Sequence, residues 1–205
     1  MGIGNEKDSL PIPLKYHETI EYTFKYNADG TGSDSFIDKE GHFYKTVKIG
    51  NQTWMAENLS TKTTNSWCYG NKKTNCLKYG RLYSRKAAMT ACPSGWRLPS
   101  KSDFEKLFSA VGGESNAGKS LKSKASWKKN GNGTDAYGFA ALPAGFRNIE
   151  GKYNNEGFGA HFWTSSETAD ANDMFISVNI LYYLNLVDVS DSDDPLGFSV
   201  RCIKE

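Results

Sequence analysis

The chain has 205 residues, which is enough for one domain with a buried core and a short appendage. Its 25 Lys and Arg nearly balance its 23 Asp and Glu, so there is no global field that would attract nucleic acid or an anionic membrane. An aromatic content of 13% together with 20 glycines indicates short strands and many turns rather than a helical bundle.

The first part of the chain, residues 1–35, differs in composition from the rest and is interpreted as an N-terminal extension or strand before a domain at 36–205. Apolar and polar residues alternate between 20 and 26, which predicts one amphipathic strand. Residues 27–32 have the oxygen spacing of a calcium loop but lack its downstream bidentate Glu, so we predict an ordinary turn. The chain start has no export signal, so an exported protein would be present here in a mature or recombinant form.

Hairpin and strand signals lie at both ends of the expected domain. Residues 43–54 predict a hairpin whose turn dipeptide is Gly50-Asn51. Residues 198–203 alternate and predict one closing strand. Between these ends, the lysines of 119–133 are predicted to form a solvated face of a polar loop.

Two short helices are expected in the middle of the chain. Ser84 is a suitable N-cap for a helix over 85–91. A second helix is expected to begin at Ser100 or Ser102, and Ser102 with Glu105 three residues later fits a capping box. The apolar positions that follow make one stripe, which is typical of a helix packed on a core.

The four cysteines, Cys68, Cys76, Cys92 and Cys202, match neither a zinc spacing nor the C-x-x-C redox pattern. Disulfides are therefore predicted, although four cysteines allow three connectivities and the sequence does not select among them. The preferred set joins Cys68 to Cys76 and Cys92 to Cys202. The alternative is four reduced, buried cysteines in a cytosolic protein.

Enzymatic chemistry finds little support, and no metal, catalytic residue or cofactor is expected. The three histidines lack the helical spacing of a zinc hydrolase, and no Gly-x-Ser-x-Gly elbow occurs. His161 is interpreted as part of a packed, aromatic-rich strand end. Paired carboxylates for glycoside cleavage stay open as an alternative, because Glu156, Glu167 and Asp173 could converge in space.

Three sequence blocks carry a family resemblance: TVKIGNQTWMAENL at 46–59, ACPSGWRLPS at 91–100 and GFSVRC at 197–202. In this order they closely resemble the Fibrobacter succinogenes major paralogous domain, a family found in exported bacterial proteins. Shorter blocks between them, YGRLY, LPAGFR and FWTSSE, also look like the family. The resemblance covers roughly residues 36 to 205 and is specific, because several long blocks agree in order.

The resemblance implies an α+β domain of the C-type-lectin and formylglycine-generating-enzyme fold group, with two short helices, twisted antiparallel strands and long loops. It also implies a location outside the cell or at the bacterial outer membrane. In such domains a disulfide joins a helix to the last strand, as Cys92 and Cys202 would here. That bond would close a loop of about 110 residues and stabilise the fold by roughly 4 to 5 kcal/mol. The pair is expected to be structural rather than a copper-holding pair of an oxidase.

The segment 168–196 is the expected ligand-binding surface, because it mixes aromatic rings with small polar side chains as recognition surfaces do. The acidic cluster at 191–195 is interpreted as a solvated loop, since the sugar-binding tripeptides of calcium-dependent lectins are absent. The ligand-binding candidates are Asn172, Asp173, Phe175, Ser177, Asn179, Leu181, Tyr182, Tyr183, Asn185, Asp188, Ser190 and Asp191.

The expected role is non-enzymatic binding or adhesion, with an unknown protein or glycan as the ligand. No nucleic-acid partner and no transmembrane span are expected, and a lipid anchor on the full-length precursor is an open possibility. Three forms of this role are considered. They are a receptor whose C-terminal segment is rewritten by a retroelement, a carbohydrate-binding module of fixed specificity, and a structural component of a surface appendage.

Overall fold

A computed structural model of the chain describes residues 35–168, 174–192 and 196–205. The strand expected at 20–26 and the turn expected at 27–32 lie outside these residues. So do Asn172 and Asp173 of the expected ligand surface, and residues 193–195 of the acidic cluster.

The described residues form a mixed α+β fold with four α-helices, so the expectation of two was too low. A 3-10 turn at Tyr69–Asn71 precedes the first helix. The helices are Lys73–Tyr79 (α1), Arg85–Ala91 (α2), Lys101–Ala110 (α3) and Glu114–Leu121 (α4).

The two predicted helices are present as α2 and α3, and their caps explain where they begin. The side chain of Ser84 accepts a hydrogen bond from the Ala87 backbone N–H, as expected for the cap of α2. At α3 the capping box is formed by Ser100 and Asp103, so the prediction of Ser102 with Glu105 was wrong. Asp103 replaces the usual Glu, and it also binds Arg97 at 2.6 Å. Burial raises the pKa of Asp103, but the hydrogen bonds from Arg97 and Ser100 outweigh it and lower that pKa to about 2.

Short strands build the rest of the fold. The first six are Ser35–Ile37 (β1), Phe43–Ile49 (β2), Gln52–Met55 (β3), Ser66–Trp67 (β4), Leu82–Tyr83 (β5) and Trp96–Arg97 (β6). The other seven are Phe146–Arg147 (β7), Tyr153–Asn154 (β8), Gly159–Glu167 (β9), Phe175–Leu181 (β10), Asp188–Ser192 (β11), Phe198–Ser199 (β12) and Ile203–Lys204 (β13).

These strands form two larger sheets and one small one. The five-stranded sheet has the order β1-β2-β3-β13-β6, and the six-stranded sheet has the order β11-β10-β9-β12-β5-β4. β7 and β8 pair separately. The predicted hairpin at 43–54 is confirmed, since β2 and β3 are antiparallel and Gly50-Asn51 connects them.

The closing strand is divided between the two larger sheets, which corrects the prediction of one continuous strand. β12 lies in the six-stranded sheet and β13 lies in the five-stranded sheet. Between them Arg201 is fully buried and donates hydrogen bonds to the Asn58 side chain and to the backbone carbonyls of Met55 and Phe139. Burial lowers the pKa of Arg201 to about 9, so the guanidinium remains charged at neutral pH.

Strand β9 separates two apolar clusters, because consecutive side chains of a strand point to opposite faces. Phe162 belongs to the cluster that contains Trp54 and the apolar stripe of α3. Trp163 belongs to the cluster that contains the alanines of α2 and Cys202. Both faces of the six-stranded sheet are therefore covered in its centre.

Both predicted disulfides are present. Cys68 pairs with Cys76 across 8 positions, and Cys92 pairs with Cys202 across 110 positions. The second bond ties the end of α2 to the segment between the two larger sheets, and all four cysteines are paired, which contradicts the alternative of four reduced cysteines. Within the described ranges, every helix is too short or too polar to cross a bilayer.

Candidate functional site

The candidate site is the hairpin of β10 and β11 with the turn that joins them, residues 182–187. The strands are antiparallel, with Phe175 opposite Ser192 and Asn179 opposite Asp188. In the part of the chain that the structure describes, β11 is the outermost strand of the six-stranded sheet. The hairpin therefore has one long side at the molecular surface.

The turn is held from inside by a buried lysine. The ammonium group of Lys122 donates hydrogen bonds to the carbonyl oxygens of Leu181, Tyr182 and Leu184, at 3.3, 3.2 and 2.9 Å. Lys122 is only 3% exposed, so the prediction that the lysines of 119–133 form a solvated face was wrong at this position. Burial lowers the pKa of Lys122, and three carbonyl dipoles directed at one ammonium group offset part of that cost.

Helix α4 holds the same turn from a second side. The Lys119 backbone N–H donates to the Asn185 carbonyl oxygen at 3.0 Å, and the Val187 N–H donates to the Glu114 carbonyl at 3.3 Å. A Cβ atom at Gly118 would lie 2.4 Å from the carbonyl oxygen of Leu186, so only glycine allows this close approach. The turn backbone is thus fixed by contacts that leave its outward side chains unused.

Beneath the hairpin lies a connected polar network. Nδ1 of His161 lies 2.7 Å from the Oδ1 atom of Asn179, and the Asn179 amide nitrogen contacts Ser177, Asp188 and Ser190. The two hydrogens of the amide are shared among those three oxygens, so the amide carbonyl oxygen accepts from His161 and the proton is on Nδ1. Burial lowers the pKa of His161, which keeps the ring neutral at physiological pH.

The first aromatic candidate, Phe175, is half-buried rather than freely presented. The guanidinium carbon of Arg85 lies 4.4 Å from the centroid of its ring, and the ring also packs against the cluster around Trp163. A cation held over an aromatic face occupies the surface that a ligand ring would use. Phe175 therefore contributes mainly to packing at the far end of the hairpin.

The twelve predicted ligand residues fall into four groups. Those exposed to solvent are Tyr183, Asn185, Asp188 and Asp191. Those half-buried are Phe175, Leu181, Tyr182 and Ser190. Ser177 and Asn179 are buried at 0% and 8% exposure and act within the polar network. Asn172 and Asp173 lie outside the described residues.

Tyr183 is the most prominent member of the exposed group, with 65% of its surface exposed. Its ring meets the Tyr182 ring edge-on, with centroids 5.1 Å apart and an interplanar angle of 71°. Tyr182 in turn packs edge-on against Phe158 at 5.3 Å. The three rings form a row at one end of the hairpin.

Two further residues at this end were missed from sequence, Lys128 and Lys129. The ammonium nitrogen of Lys128 lies 5.0 Å from the Phe158 centroid, and that of Lys129 lies 5.9 Å from the centroids of both Phe158 and Tyr182. A Cβ atom at Gly131 would lie 2.7 Å from the Tyr182 Cβ atom, so this loop packs against the turn, and nothing in the linear sequence of the loop indicates that contact.

The acidic cluster and His161 are the places where the sequence suggested metal or catalytic chemistry. No group of three or more His, Cys, Asp or Glu side chains in the described ranges is arranged to hold a metal ion. In the acidic cluster, Asp191 is exposed while the hydroxyl of Ser192 bonds to that of Ser177 at 2.8 Å. His161 is buried and stacks on Phe198 with centroids 5.4 Å apart, which confirms its interpretation as a packed strand end.

Comparison with known proteins adds one finding. The sequence model of the family described as Fibrobacter succinogenes major domain matches residues 47–204. The matched range begins in β2 and ends at the last residue of β13. Neither the curated proteins nor the solved structures that were searched gave a match to this chain.

Proposed function

We propose that this chain, which belongs to the Fibrobacter succinogenes major domain family, is a non-enzymatic ligand-binding module displayed outside the cell. The binding surface in this proposal is the turn 182–187 with the outer strand β11. The observation that carries it is the contrast at the turn. Lys122 fixes its backbone from below through three carbonyl oxygens, while Tyr183 above is 65% exposed.

This contrast favours binding for an energetic reason. An exposed aromatic ring gives a ligand a large contact area and loses little side-chain entropy when it is immobilised. A backbone that is already fixed loses little more on binding, so a larger share of the contact energy becomes affinity. The Tyr183 ring meets Tyr182 along one edge, and most of its surface is left open to a ligand.

The two disulfides support the extracellular part of the proposal. Such bonds persist in oxidising compartments and are rare in the cytosol of most bacteria. The Cys92–Cys202 bond is built into the centre of the fold, where Cys202 is completely buried. We therefore place the mature domain at the cell surface or beyond it, with a lipid anchor on the precursor as one means of attachment.

We also propose a C-type-lectin-like arrangement for the domain. Its support is the disulfide that joins the end of α2 to the segment between β12 and β13. Most of the loops lie between these two cysteines in sequence. In domains of that group the loops contact the ligand, and the disulfide-bonded framework provides the stability of the fold. Solving a crystal structure and comparing its strand order with lectin-like domains would test this assignment.

Diversification by a retroelement is a further proposal, and the structure restricts where it could act. Substitutions at exposed Tyr183, Asn185 and Asp191 would leave the core intact. Substitutions at Ser177 or Asn179 would break buried hydrogen bonds and are expected to be absent from any natural variants. The DNA beside the gene should then contain a reverse transcriptase and a near-copy repeat that differs at the exposed codons.

The binding function is tested with an immobilised panel of neutral and acidic glycans and of purified bacterial surface proteins. The wild type should bind at least one member, and the double variant Tyr183→Ala/Asn185→Ala should lose that binding while keeping its melting temperature. The matched control is Thr90→Ala, an exposed site on α2 that should bind normally. A ligand whose affinity is unchanged in the double variant would show that the site lies elsewhere, and no binding across the panel would count against the function.

A further inference from the structure

The aromatic row at the end of the hairpin is joined to a cationic loop, and together they form one surface. We call this surface the basic aromatic shelf and define it as Lys128, Lys129, Phe158, Tyr182 and Tyr183. The Tyr182 backbone N–H donates to the Phe158 carbonyl oxygen at 2.9 Å, so the loop before β9 and the turn after β10 are directly bonded.

The loop that contains the two lysines is positioned by its own backbone. The Lys128 N–H donates to the Gly157 carbonyl at 2.8 Å, and the Gly131 N–H donates to the Lys128 carbonyl at 3.0 Å. A Cβ atom at Gly157 would lie 2.8 Å from the Lys128 Cγ atom, so the lysine side chain lies directly over that glycine. The backbone contacts therefore bring both lysines to the rings, and packing over Gly157 positions the Lys128 side chain.

The charge of the shelf is not neutralised locally. Both lysines are exposed, and among the described residues neither ammonium group forms an ion pair with a carboxylate. Contact with aromatic faces is favourable for an ammonium group but leaves its full positive charge available to an anion. An anionic ligand would supply the negative charge that these two ammonium groups lack.

The rings limit the class of anion. The Phe158 and Tyr182 rings are engaged by the lysines and by each other, which leaves Tyr183 as the broadly open ring of the shelf. Sites for single-stranded nucleic acid stack several successive bases along a basic groove. One open ring beside two cations suits a single sugar ring with carboxylates along the same chain, and extracellular polysaccharides supply that chemistry.

We propose that the basic aromatic shelf binds an acidic polysaccharide, with a sugar ring against Tyr183 and uronate carboxylates beside Lys128 and Lys129. This proposal rests on the binding function proposed above and names its ligand class. The carboxylates are held by charge and the ring by contact area, so binding requires both features of the ligand. A neutral saccharide of the same shape gains only the contact between its ring and Tyr183.

The test uses a short oligogalacturonate and its fully methyl-esterified form, which has the same sugar rings without the charge. Calorimetry on the full chain should show binding of the acid and at least about fivefold weaker binding of the ester, which matches two exposed ion pairs. Lys128→Ala/Lys129→Ala should lower affinity for the acid by a similar factor. Lys48→Ala/Lys86→Ala removes the same charge from exposed sites on β2 and α2 and should bind as the wild type does.

The other outcomes separate the ligand class from the function. Equal affinity for acid and ester, with both lost in Tyr183→Ala, would overturn the acidic class and leave the binding function standing. Stronger binding of a single-stranded oligodeoxynucleotide of equal charge would overturn it in favour of nucleic acid. No binding of the acid would overturn it too, and the glycan and protein panel would then decide the function independently. An equal loss of affinity for the acid in Lys48→Ala/Lys86→Ala would show that the effect comes from net charge alone. That result would also overturn the proposal.

Discussion

The ammonium group of Lys122 donates a hydrogen bond of 2.9 Å to the carbonyl oxygen of Leu184, across 62 positions of sequence. The same ammonium group reaches the carbonyl oxygens of Leu181 and Tyr182, so a single side chain after α4 joins three backbone carbonyls of the candidate site. It lies 5.4 Å from the ring centroid of Trp127 and is almost fully buried. The geometry of the proposed binding surface therefore depends in part on a residue that lies beneath it.

Replacing Lys122 with Met should remove these three hydrogen bonds while keeping most of the side-chain volume. We expect the free energy of unfolding to fall by about 2 to 4 kcal/mol, because buried carbonyls lose a charged donor. Urea denaturation measures this loss, and hydrogen exchange should be faster at the amides of 182–187. Lys124→Met, at an exposed position two residues away, should change stability by less than about 0.5 kcal/mol. Equal stability of the two variants would contradict the role of Lys122.

The polar network gives a second prediction, at Asn179. Asn179→Ala removes the acceptor of His161 Nδ1 and the donor to Ser177 and Ser190, so it should lower the free energy of unfolding by about 2 kcal/mol. Asp191→Ala alters an exposed residue of the same hairpin and should be nearly neutral. Chemical denaturation of both variants makes the comparison, and a neutral Asn179→Ala would mean that the network carries no stability.

The buried His161 predicts a pH dependence. Its pKa is lowered in the folded protein, so the unfolded chain binds a proton at a higher pH than the folded chain does. Stability should therefore fall as the pH drops below the unfolded value of about 6.5 and continue to fall until the folded pKa is reached. Melting temperatures between pH 8 and pH 5 should fall more steeply for the wild type than for His161→Gln. Parallel curves would contradict the prediction.

The two disulfides should differ in their contribution to stability. In the chain-entropy model, a bond across 8 positions restricts the unfolded chain much less than one across 110. We expect Cys68→Ala/Cys76→Ala to cost about 2.5 kcal/mol and Cys92→Ala/Cys202→Ala about 5 kcal/mol. Urea denaturation without reductant would give the two values. A larger cost for the shorter bond would show that native contacts, such as those of Arg81 with both of its sulfurs, outweigh chain entropy.

Much of the framework could be predicted because its signals are local. Ser84 caps α2 through its own side chain, and Gly50-Asn51 connects β2 to β3 as a turn dipeptide. The cysteine pairing was the preferred one of three, and the family blocks agree with the matched range. The cap and the turn dipeptide each depend on a few neighbouring residues, whereas the cysteine pairing was a preference among three connectivities that the sequence did not select.

The missed helices have tertiary causes. α4 has no side-chain cap and contains Gly118, a poor helix former, because the turn after β10 comes too close for any side chain there. α1 likewise has no side-chain cap and is tied to the chain before it by the Cys68–Cys76 bond. Helix propensity alone would not predict either segment.

The candidate site was predicted in part, and its errors concern burial. Ser177 and Asn179 look like surface residues by composition, but they satisfy one another in the interior. Lys122 is chemically like its exposed neighbour Lys124, and only the three carbonyls of a distant turn distinguish them. Which polar residues are buried depends on hydrogen-bond partners that are distant in sequence. A local sequence pattern does not reveal those partners.

The division of the closing segment between two sheets has a consequence for biosynthesis. The six-stranded sheet lacks an internal strand until β12 at 198–199 has been synthesised, and the five-stranded sheet lacks one until β13 at 203–204 has been synthesised. A chain emerging from the ribosome or from a translocation channel thus cannot complete its fold until those residues have emerged. Until then it can still pass through a channel in an unfolded state. Cys68 and Cys76 are close enough in sequence to pair before that, which leaves Cys92 a single partner when Cys202 arrives. The order in which the cysteines are synthesised thus favours the native disulfide pairing.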